Sequence, residues 1–339
     1  SDDYTVKIAG KSVTCGKERF LHEWIDVKKL LGDTKALSLC FHGRADIAEI
    51  TVFSKGARPD WVQIWKPTLN KADLLLFSYP VYTFIAPYQL HRFIELVKES
   101  GVSLKGKFAT QITTSKHFYD VTAHRYIKDN CMDMGLKYIK GLSADMDDLL
   151  TEKGQKEAKN FFRYVLFSIK NDAYETYIPY SLPSARVAVD VPADDGMKKT
   201  GDVVIITNKE ENDTQLGDMI ARFQAVLPKK SRVVNIREYP FKGGCLGCFN
   251  CAVSGKCIYN DGFDAFLRED LQTAEAIVYA FTVKDHSMGA SFKLYDDRQF
   301  CNGHRTVTMG MPMGYLVSGD YSREMNLQMI IEGRAEVGG

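Results

Sequence analysis

The sequence lacks an excess of charge of either sign. It holds 44 Lys and Arg residues against 43 Asp and Glu residues among 339, a formal net charge of +1. Because binding to nucleic-acid phosphates needs a clustered excess of basic side chains, this balance argues against a nucleic-acid partner. The hydrophobic fraction of 45% argues against intrinsic disorder. The length predicts two domains of about 150 residues, each large enough to bury its own core.

Long hydrophobic runs are also missing. No window approaches the ~20 consecutive apolar residues that a membrane-spanning helix needs, so we expect no membrane partner. The first ten residues, SDDYTVKIAG, contain neither a basic stretch nor an apolar core. We therefore expect no signal peptide and a cytoplasmic protein.

The cysteines do not have the spread of a disulfide framework. Four fall within 13 residues, namely Cys245, Cys248, Cys251 and Cys257. The other four stand singly: Cys15, Cys40, Cys131 and Cys301. In a domain large enough to fold without disulfide bonds, one tight group of cysteines indicates a metal or iron–sulfur site in a reducing compartment.

A repeat with an offset near 200 residues runs through the chain. ADLLLFSYPVY at 72–82 and AEAIVYAFTVK at 274–284 lie 202 positions apart. Each combines a small residue and an acid with a buried-strand run and a loop. The later strands FATQITT (108–114) and GYLVSGD (314–320) match at about 205. Because several short runs share one offset, we predict two copies of one α/β unit.

In the first copy strands alternate with helices, which predicts a parallel sheet covered on both faces. Its strands are predicted at 4–8, 73–79, 107–114 and 137–142, and its helices at 13–24, 60–70, 87–99, 121–134 and 151–170. The second copy has strands near 203–207, 232–236, 276–281 and 314–318, and a helix at 322–335. The predicted domains are 1–170 and 201–339, joined by a linker at 171–200. Since a missing last strand would leave an open edge, we expect the native chain to extend beyond Gly339.

The clustered cysteines follow the spacing C-x2-C-x2-C-x5-C within FKGGCLGCFNCAVSGKCIYND at 241–261. Three cysteines at intervals of three can turn their thiolates toward one cubane, and the fourth arrives from the end of the loop. A structural zinc site is the alternative, although zinc usually takes two ligand pairs separated by a longer spacer. The spacing favours a [4Fe–4S] cluster and leaves zinc open.

Three loops of the first copy follow the carboxyl ends of its strands, where α/β sheets bind ligands. AGKSVT offers two hydroxyls, a lysine and a helix N-terminus, which suit a phosphate. SYPVYTFIAP and TTSKHFYD combine aromatic faces with polar groups, as a planar heteroaromatic ring requires.

Two segments resemble one known family. PVYTFIAPYQLHRFIE (80–95) resembles the flavin-contacting loop and helix of NAD(P)H-dependent FMN reductases of the flavodoxin-like fold. KGGCLGCFNCAVSGKCIYNDGF (242–263) resembles the cysteine motif of the iron–sulfur flavoproteins in that family. The resemblance implies two tandem flavodoxin-like doubly wound parallel sheets, bound FMN, often a [4Fe–4S] cluster, and electron transfer.

The resemblance also implies site residues, although no catalytic residue is identified. The phosphate loop corresponds to Lys11, Ser12, Val13 and Thr14. The isoalloxazine loop corresponds to Pro80, Val81, Tyr82, Thr83 and Phe84, and the third contact loop to Thr113, Thr114, Ser115, His117 and Tyr119. In the second copy, the acids of NKEENDT (208–214) stand where a phosphate should bind and would repel it. We therefore expect FMN in the first copy and the cluster in the second, and leave FMN in the second open.

The sequence thus predicts an FMN- and [4Fe–4S]-containing oxidoreductase. Its electrons would come from NAD(P)H or a reduced carrier such as ferredoxin and pass through flavin and cluster to a small-molecule or protein acceptor. One alternative is a degenerate flavodoxin-like scaffold with a structural zinc loop and no turnover. Another is an electron carrier without a substrate of its own. A homodimer is possible under each of these hypotheses.

Overall fold

The structure, a computed structural model, describes residues 4–8, 11–15, 39–42, 61–116, 120–176, 198–302 and 307–338. The chain divides into two compact units, residues 1–60 and residues 61–339. The predicted linker at 171–200 falls inside the second unit, and its residues 177–197 lie outside the described residues. None of the described helices is both long and apolar enough to cross a bilayer.

The first unit is described through three strands, β1 (Tyr4–Ile8), β2 (Lys11–Cys15) and β3 (Leu39–His42). They form an antiparallel sheet in the order β2-β1-β3. The predictions that residues 4–8 join the first copy's parallel sheet and that a helix starts at residue 13 are therefore wrong. The physical reason is local. Two residues ending in Gly10 separate β1 from β2, as in a hairpin, and the β-branched Val13 and Thr14 suit a strand.

The first half of the second unit (residues 61–176) builds a small parallel sheet. β5 lies between β4 on one side and the two short strands β6 and β7 on the other. The predicted elements are confirmed here, except that the strand at 137–142 is broken in two. The elements are α1 (Trp61–Lys71), β4 (Leu74–Pro80), α2 (Tyr88–Glu99), β5 (Phe108–Ser115), α3 (Asp120–Asp133), β6 (Lys137–Tyr138), β7 (Leu142–Asp145) and α4 (Glu152–Lys170).

The second half (residues 198–338) builds a four-stranded parallel sheet in the order β11-β10-β8-β9. Numbered within the half, this is 2-1-3-4 read from the β9 edge, which is compatible with a flavodoxin-like fold. The elements are β8 (Thr200–Thr207), α5 (Thr214–Val226), β9 (Lys229–Asn235), α6 (Asn250–Ser254), α7 (Phe263–Phe266), β10 (Ala276–Thr282), α8 (Gly289–Arg298), β11 (Met313–Ser318) and α9 (Met325–Gly338).

The central strand β8 has an apolar run at residues 203–206 because helices cover both faces of its sheet. Val203 and Ile205 pack with Leu216 and Ile220 of α5 on one face. Val204 and Ile206 pack on the other face, in a core with residues of α7, α8 and α9. Alternate side chains of a strand point to opposite faces, so a strand buried on both sides needs a continuous apolar run.

Helices α2 and α8 pack together, and each supplies a hydrogen-bond acceptor to the N-terminus of the other. Neither has a capping hydrogen bond from its own N-cap side chain. Instead, Asp297 of α8 accepts a hydrogen bond from the Tyr88 N–H at 2.8 Å, and Glu95 of α2 accepts one from the Ala290 N–H at 2.7 Å. A carboxylate satisfies unpaired N–H groups there and interacts favourably with the helix dipole.

The turns before these two helices also have matching geometry. Tyr82 and Ile85 exchange two backbone hydrogen bonds, as do Lys284 and Ser287. The two central residues of each turn have positive φ: Thr83 (46°) and Phe84 (71°), and Asp285 (44°) and His286 (60°). Equivalent positions of the two turns again differ by 202 residues.

Contacts between each turn and the opposite helix follow the same offset. His91 of α2 bonds the Asp285 carboxylate at 2.8 Å, and Lys293 of α8 bonds the Thr83 hydroxyl at 2.9 Å. The two halves therefore meet through reciprocal pairs of positions whose side chains differ. Tyr126 also donates to the Asp285 carboxylate, at 2.7 Å.

We expect Glu95→Ala to lower the free energy of unfolding by about 0.5–2 kcal/mol, since it removes the acceptor at the start of α8. Urea unfolding measures this change. The matched control is Glu99→Ala, because Glu99 is on the same helix and pairs with the same Arg92 but caps nothing. It should stay within about 0.5 kcal/mol of wild type. Equal losses in both variants would contradict the capping role.

His286 gives the contact between the halves a predictable pH dependence. Burial lowers the pKa of His286, but hydrogen bonds to Asp133 and Glu324 outweigh it and raise this pKa to about 10. Since the folded-state pKa exceeds the usual value near 6.5, the stabilisation is complete below about pH 6 and is lost as pH rises through 10. The difference in unfolding free energy between wild type and His286→Gln should therefore shrink from about pH 6 to about pH 10.5. A difference that stays constant over this range would refute the assignment.

Candidate functional site

The cysteine loop (residues 241–261) follows β9, at the carboxyl edge of the four-stranded sheet, and leads into α7. Its four cysteines are half-buried and form no disulfide. Four residues of the loop have positive φ: Gly247 (+64°), Phe249 (+55°), Gly255 (+66°) and Asn260 (+47°). Glycine adopts this left-handed region without steric cost, which explains two of these four positions.

The thiols of the loop lie close enough to influence one another's ionisation. Burial, together with negative charge on Asp297, Cys248 and Cys251, raises the pKa of Cys245 to about 12. Burial and the charges of Cys248 and Cys257 raise the pKa of Cys251 in the same direction. Thiolates that repel one another in a half-buried loop are stabilised by a bound cation, so this donor set fits a thiophilic metal.

Coordination geometry is not preformed in this loop. Among the described residues, no group of three or more His, Cys, Asp or Glu side chains is arranged to hold a metal ion. The assignment of Cys245, Cys248, Cys251 and Cys257 as ligands therefore depends on their spacing, their shared loop and their mutual charge effects.

Two arginines hold the backbone of the cysteine loop. Arg298, the last residue of α8, donates to the Gly243 carbonyl at 2.8 Å and makes a bidentate pair with Asp261 at 2.7 and 2.9 Å. Arg268 donates to the Gly255 carbonyl at 2.6 Å. The first arginine thus joins the two ends of the loop, and the second holds its middle. The sequence connects neither arginine with this loop, because neither belongs to the cysteine motif, and the position of Arg298 at a helix end suggests only an interaction with the helix dipole.

The first half of the unit packs directly against this loop. Gln89 of α2 donates to the Cys245 carbonyl at 3.2 Å. A Cβ at Gly247 would lie 1.9 Å from the Tyr82 hydroxyl oxygen, and one at Gly244 would lie 2.5 Å from the Tyr88 ring. Both glycines are therefore required by the close approach of tyrosines from the other half.

The predicted isoalloxazine loop, Pro80–Phe84, is the segment that makes this contact. Burial and the negative charges of Cys245 and Asp297 raise the pKa of Tyr82. The Thr83 hydroxyl bonds Lys293 and Asp297, and Phe84 is buried in the core of the first half. Val81 packs against the same core, while Pro80 is exposed. The structure thus places three of these side chains, at positions 82–84, in packing between or within the halves.

The third predicted contact loop is only partly described. The Thr113 side chain is buried in β5 and bonds the His124 ring at 2.7 Å. Ser115 is buried as well, and Thr114 is half-buried with its carbonyl accepting the Val81 N–H. His117 and Tyr119 lie outside the described residues.

The predicted phosphate loop does not have its expected local structure. Lys11, Ser12, Val13 and Thr14 lie in β2, which pairs antiparallel with β1, and not in a loop that starts a helix. The expectation of a helix N-terminus at these residues is therefore wrong. Whether they contact a cofactor stays a prediction.

In the second half, acidic side chains lie in the loop between β8 and α5. Asp213 accepts a hydrogen bond from the Leu216 N–H at the start of α5 and another from the Thr282 hydroxyl at 2.5 Å. Glu210 pairs with Lys284 and Arg237. The helix N-terminus that would bind a phosphate is capped by the protein's own carboxylate.

Comparison with known proteins adds no relative. No protein-family model, no curated protein and no solved structure matches the chain. The site therefore has to be interpreted from its own residues.

Gly247→Ala should destabilise the protein and displace the cysteine loop, because its new methyl group overlaps the Tyr82 hydroxyl. The matched control is Gly262→Ala. Gly262 has a similar φ of +77°, but the nearest atom to its Cβ is 3.6 Å away. We expect Gly247→Ala to cost about 1–3 kcal/mol more than the control, measured by urea unfolding. Tyr82→Ala in the Gly247→Ala background should recover part of the difference, and equal costs for the two glycine variants would disprove the contact.

Proposed function

We propose that the chain is an electron-transfer protein of the flavodoxin-like class whose cysteine loop binds a [4Fe–4S] cluster. The observation that carries the proposal is a set of four half-buried thiols that form no disulfide and lie in one loop at the carboxyl edge of a parallel sheet. Cysteine thiolates are the usual ligands of such clusters, which supply one-electron chemistry when bound. The ligands are Cys245, Cys248, Cys251 and Cys257.

The residues around the thiols would shield such a cluster from solvent and set its reduction potential. The Gly247 N–H already points to the Cys245 sulfur at 3.5 Å, and hydrogen bonds to sulfur are one means by which a protein sets a cluster's potential. Tyr82 and Gln89, from the first half, cover the Cys245 side of the loop. The site is thus completed by both halves of the unit.

We also propose that the two halves are copies of one flavodoxin-like unit. The strand order of the second half supports this, as do the reciprocal contacts of α2 and α8 at a constant offset of 202 residues. Each half presents its first turn and following helix to the other. The tandem thereby puts the isoalloxazine-like loop of one half against the cysteine loop of the other.

FMN is part of the proposal only through the resemblance of residues 80–95 to FMN reductases. The described residues fit FMN poorly, because Thr83 and Phe84 are engaged in packing and Thr113 is bonded to His124. We therefore derive no step through a flavin. NAD(P)H or a reduced carrier such as ferredoxin remains the proposed donor, and a small-molecule or protein oxidant the proposed acceptor.

The same packing favours a second candidate function, a scaffold with a structural zinc ion. The segment that resembles a flavin loop packs between the two halves and so can serve to hold them together. A cysteine loop with a bound zinc ion can hold them together in the same way. The scaffold needs neither flavin nor turnover. The two candidates differ in the metal they require.

Anaerobic purification followed by iron, sulfide, zinc and flavin analysis of one sample distinguishes them. For the electron-transfer protein we expect about four irons per chain and visible iron–sulfur absorbance. Cys248→Ser should lose the iron, while Cys131→Ser, a buried thiol outside the loop, should retain it. One zinc per chain with neither iron nor flavin would replace the first proposal by the second. Titration with NADH, NADPH and reduced ferredoxin then identifies the donor.

A further inference from the structure

Arg298 occupies a particular place beneath the cysteine loop. Its guanidinium joins the carbonyl of Gly243, before the first cysteine, to the carboxylate of Asp261, after the last one. Asp261 in turn accepts hydrogen bonds from the Lys242 and Phe263 N–H groups. One side chain therefore fixes the distance between the two ends of the segment that carries all four thiols.

The guanidinium is held rigidly as well as buried. The Arg298 residue is 2% exposed, and its guanidinium carbon lies 4.8 Å from the Tyr259 ring centre, 5.2 Å from that of Phe263 and 5.6 Å from that of Phe241. Aromatic faces attract a cation more strongly when water is excluded. A planar group fixed by bidentate hydrogen bonds and by rings has little freedom to move away from the loop.

The charge of Arg298 reaches the thiols. Burial lowers the pKa of Arg298, but the hydrogen bond to Asp261 and the negative charge of Cys257 outweigh it and raise this pKa. The Arg298 Nε atom is buried and has no hydrogen-bond partner among the described residues. A buried donor without a partner is costly, so this guanidinium is held in place at some cost to stability.

We propose that Arg298 is a positioning residue of the four-cysteine site, which closes the loop around its ligands and stabilises the negative charge that a bound cluster gains on reduction. The inference rests on the proposed function. Its physical basis is that each added electron makes the cluster more negative, so a fixed buried cation nearby favours the reduced form. Arg298 touches the loop backbone and not the reacting atoms.

The charge and the geometry of Arg298 can be separated by two variants that break the same ion pair. Arg298→Gln removes the positive charge, whereas Asp261→Asn removes the negative partner and leaves the cation. The midpoint potential of the cluster is the measurement. We expect reduction to become at least tenfold less favourable in Arg298→Gln, a fall of about 59 mV for one electron. In Asp261→Asn the potential should stay equal or rise.

A purely structural role would move the two potentials in the same direction. Equal falls in both variants, or an unchanged potential in Arg298→Gln, would overturn the proposal. If Arg298→Gln does not fold because Asp261 is left unpaired, the double variant Arg298→Gln/Asp261→Asn replaces it. Compared with Asp261→Asn alone, it isolates the same charge and should show the same tenfold loss.

Amide hydrogen exchange of residues 243–261 in metal-free protein tests loop closure without any cluster. We expect exchange at least tenfold faster in Arg298→Gln than in wild type, because both ends of the loop are released. The control is Arg232→Gln, since the Arg232 guanidinium bonds Asp202 and Asp270 and should leave the exchange of the loop unchanged.

The potential and the amide exchange test different parts of the proposal. If wild-type protein binds no iron, the proposed electron-transfer function is wrong, and so is the proposed effect of the Arg298 charge. If amide exchange of the loop is unchanged in Arg298→Gln, Arg298 does not hold the loop closed, even if the cluster is present.

Discussion

A helix that starts inside a protein without a cap of its own has to find acceptors for its first N–H groups elsewhere. Helices α2 and α8 solve this problem for each other, through Glu95 and Asp297. Because each carboxylate sits on one helix and reaches the start of the other, both helices must lie side by side in one register. That register decides which loops of the two halves can meet.

The cysteine loop depends on the same register. Tyr82 precedes α2 and Arg298 ends α8, and the loop lies in contact with both. The contact is so close that a single methyl group at Gly247 would overlap a tyrosine from the other half. The proposed metal site is therefore less an isolated motif than a loop held between two packed halves, with an arginine joining its ends.

Strands of the second unit could be predicted from the sequence because a strand buried on both faces needs a continuous apolar run, such as residues 203–206 in β8 and 276–281 in β10. Residues 4–15 show where this fails. The same short run of Val13 and Thr14 fits a strand or the approach to a helix, and the two-residue connection before it was the stronger signal. Spacing also identified the four cysteines as one group. It could not reveal that Arg298 and Tyr82 lie beside the loop, because contacts between residues 37 to 165 positions apart leave no local pattern.

The contact between Tyr82 and Gly247 also has a consequence for how the protein is made. Domains that emerge first from the ribosome generally fold first. The surface that receives the cysteine loop belongs to residues 61–176, so it leaves the ribosome before any of the four clustered cysteines has been translated. The N-terminus of α2, however, takes its acceptor from Asp297, so this surface becomes complete only after all four thiols have been made.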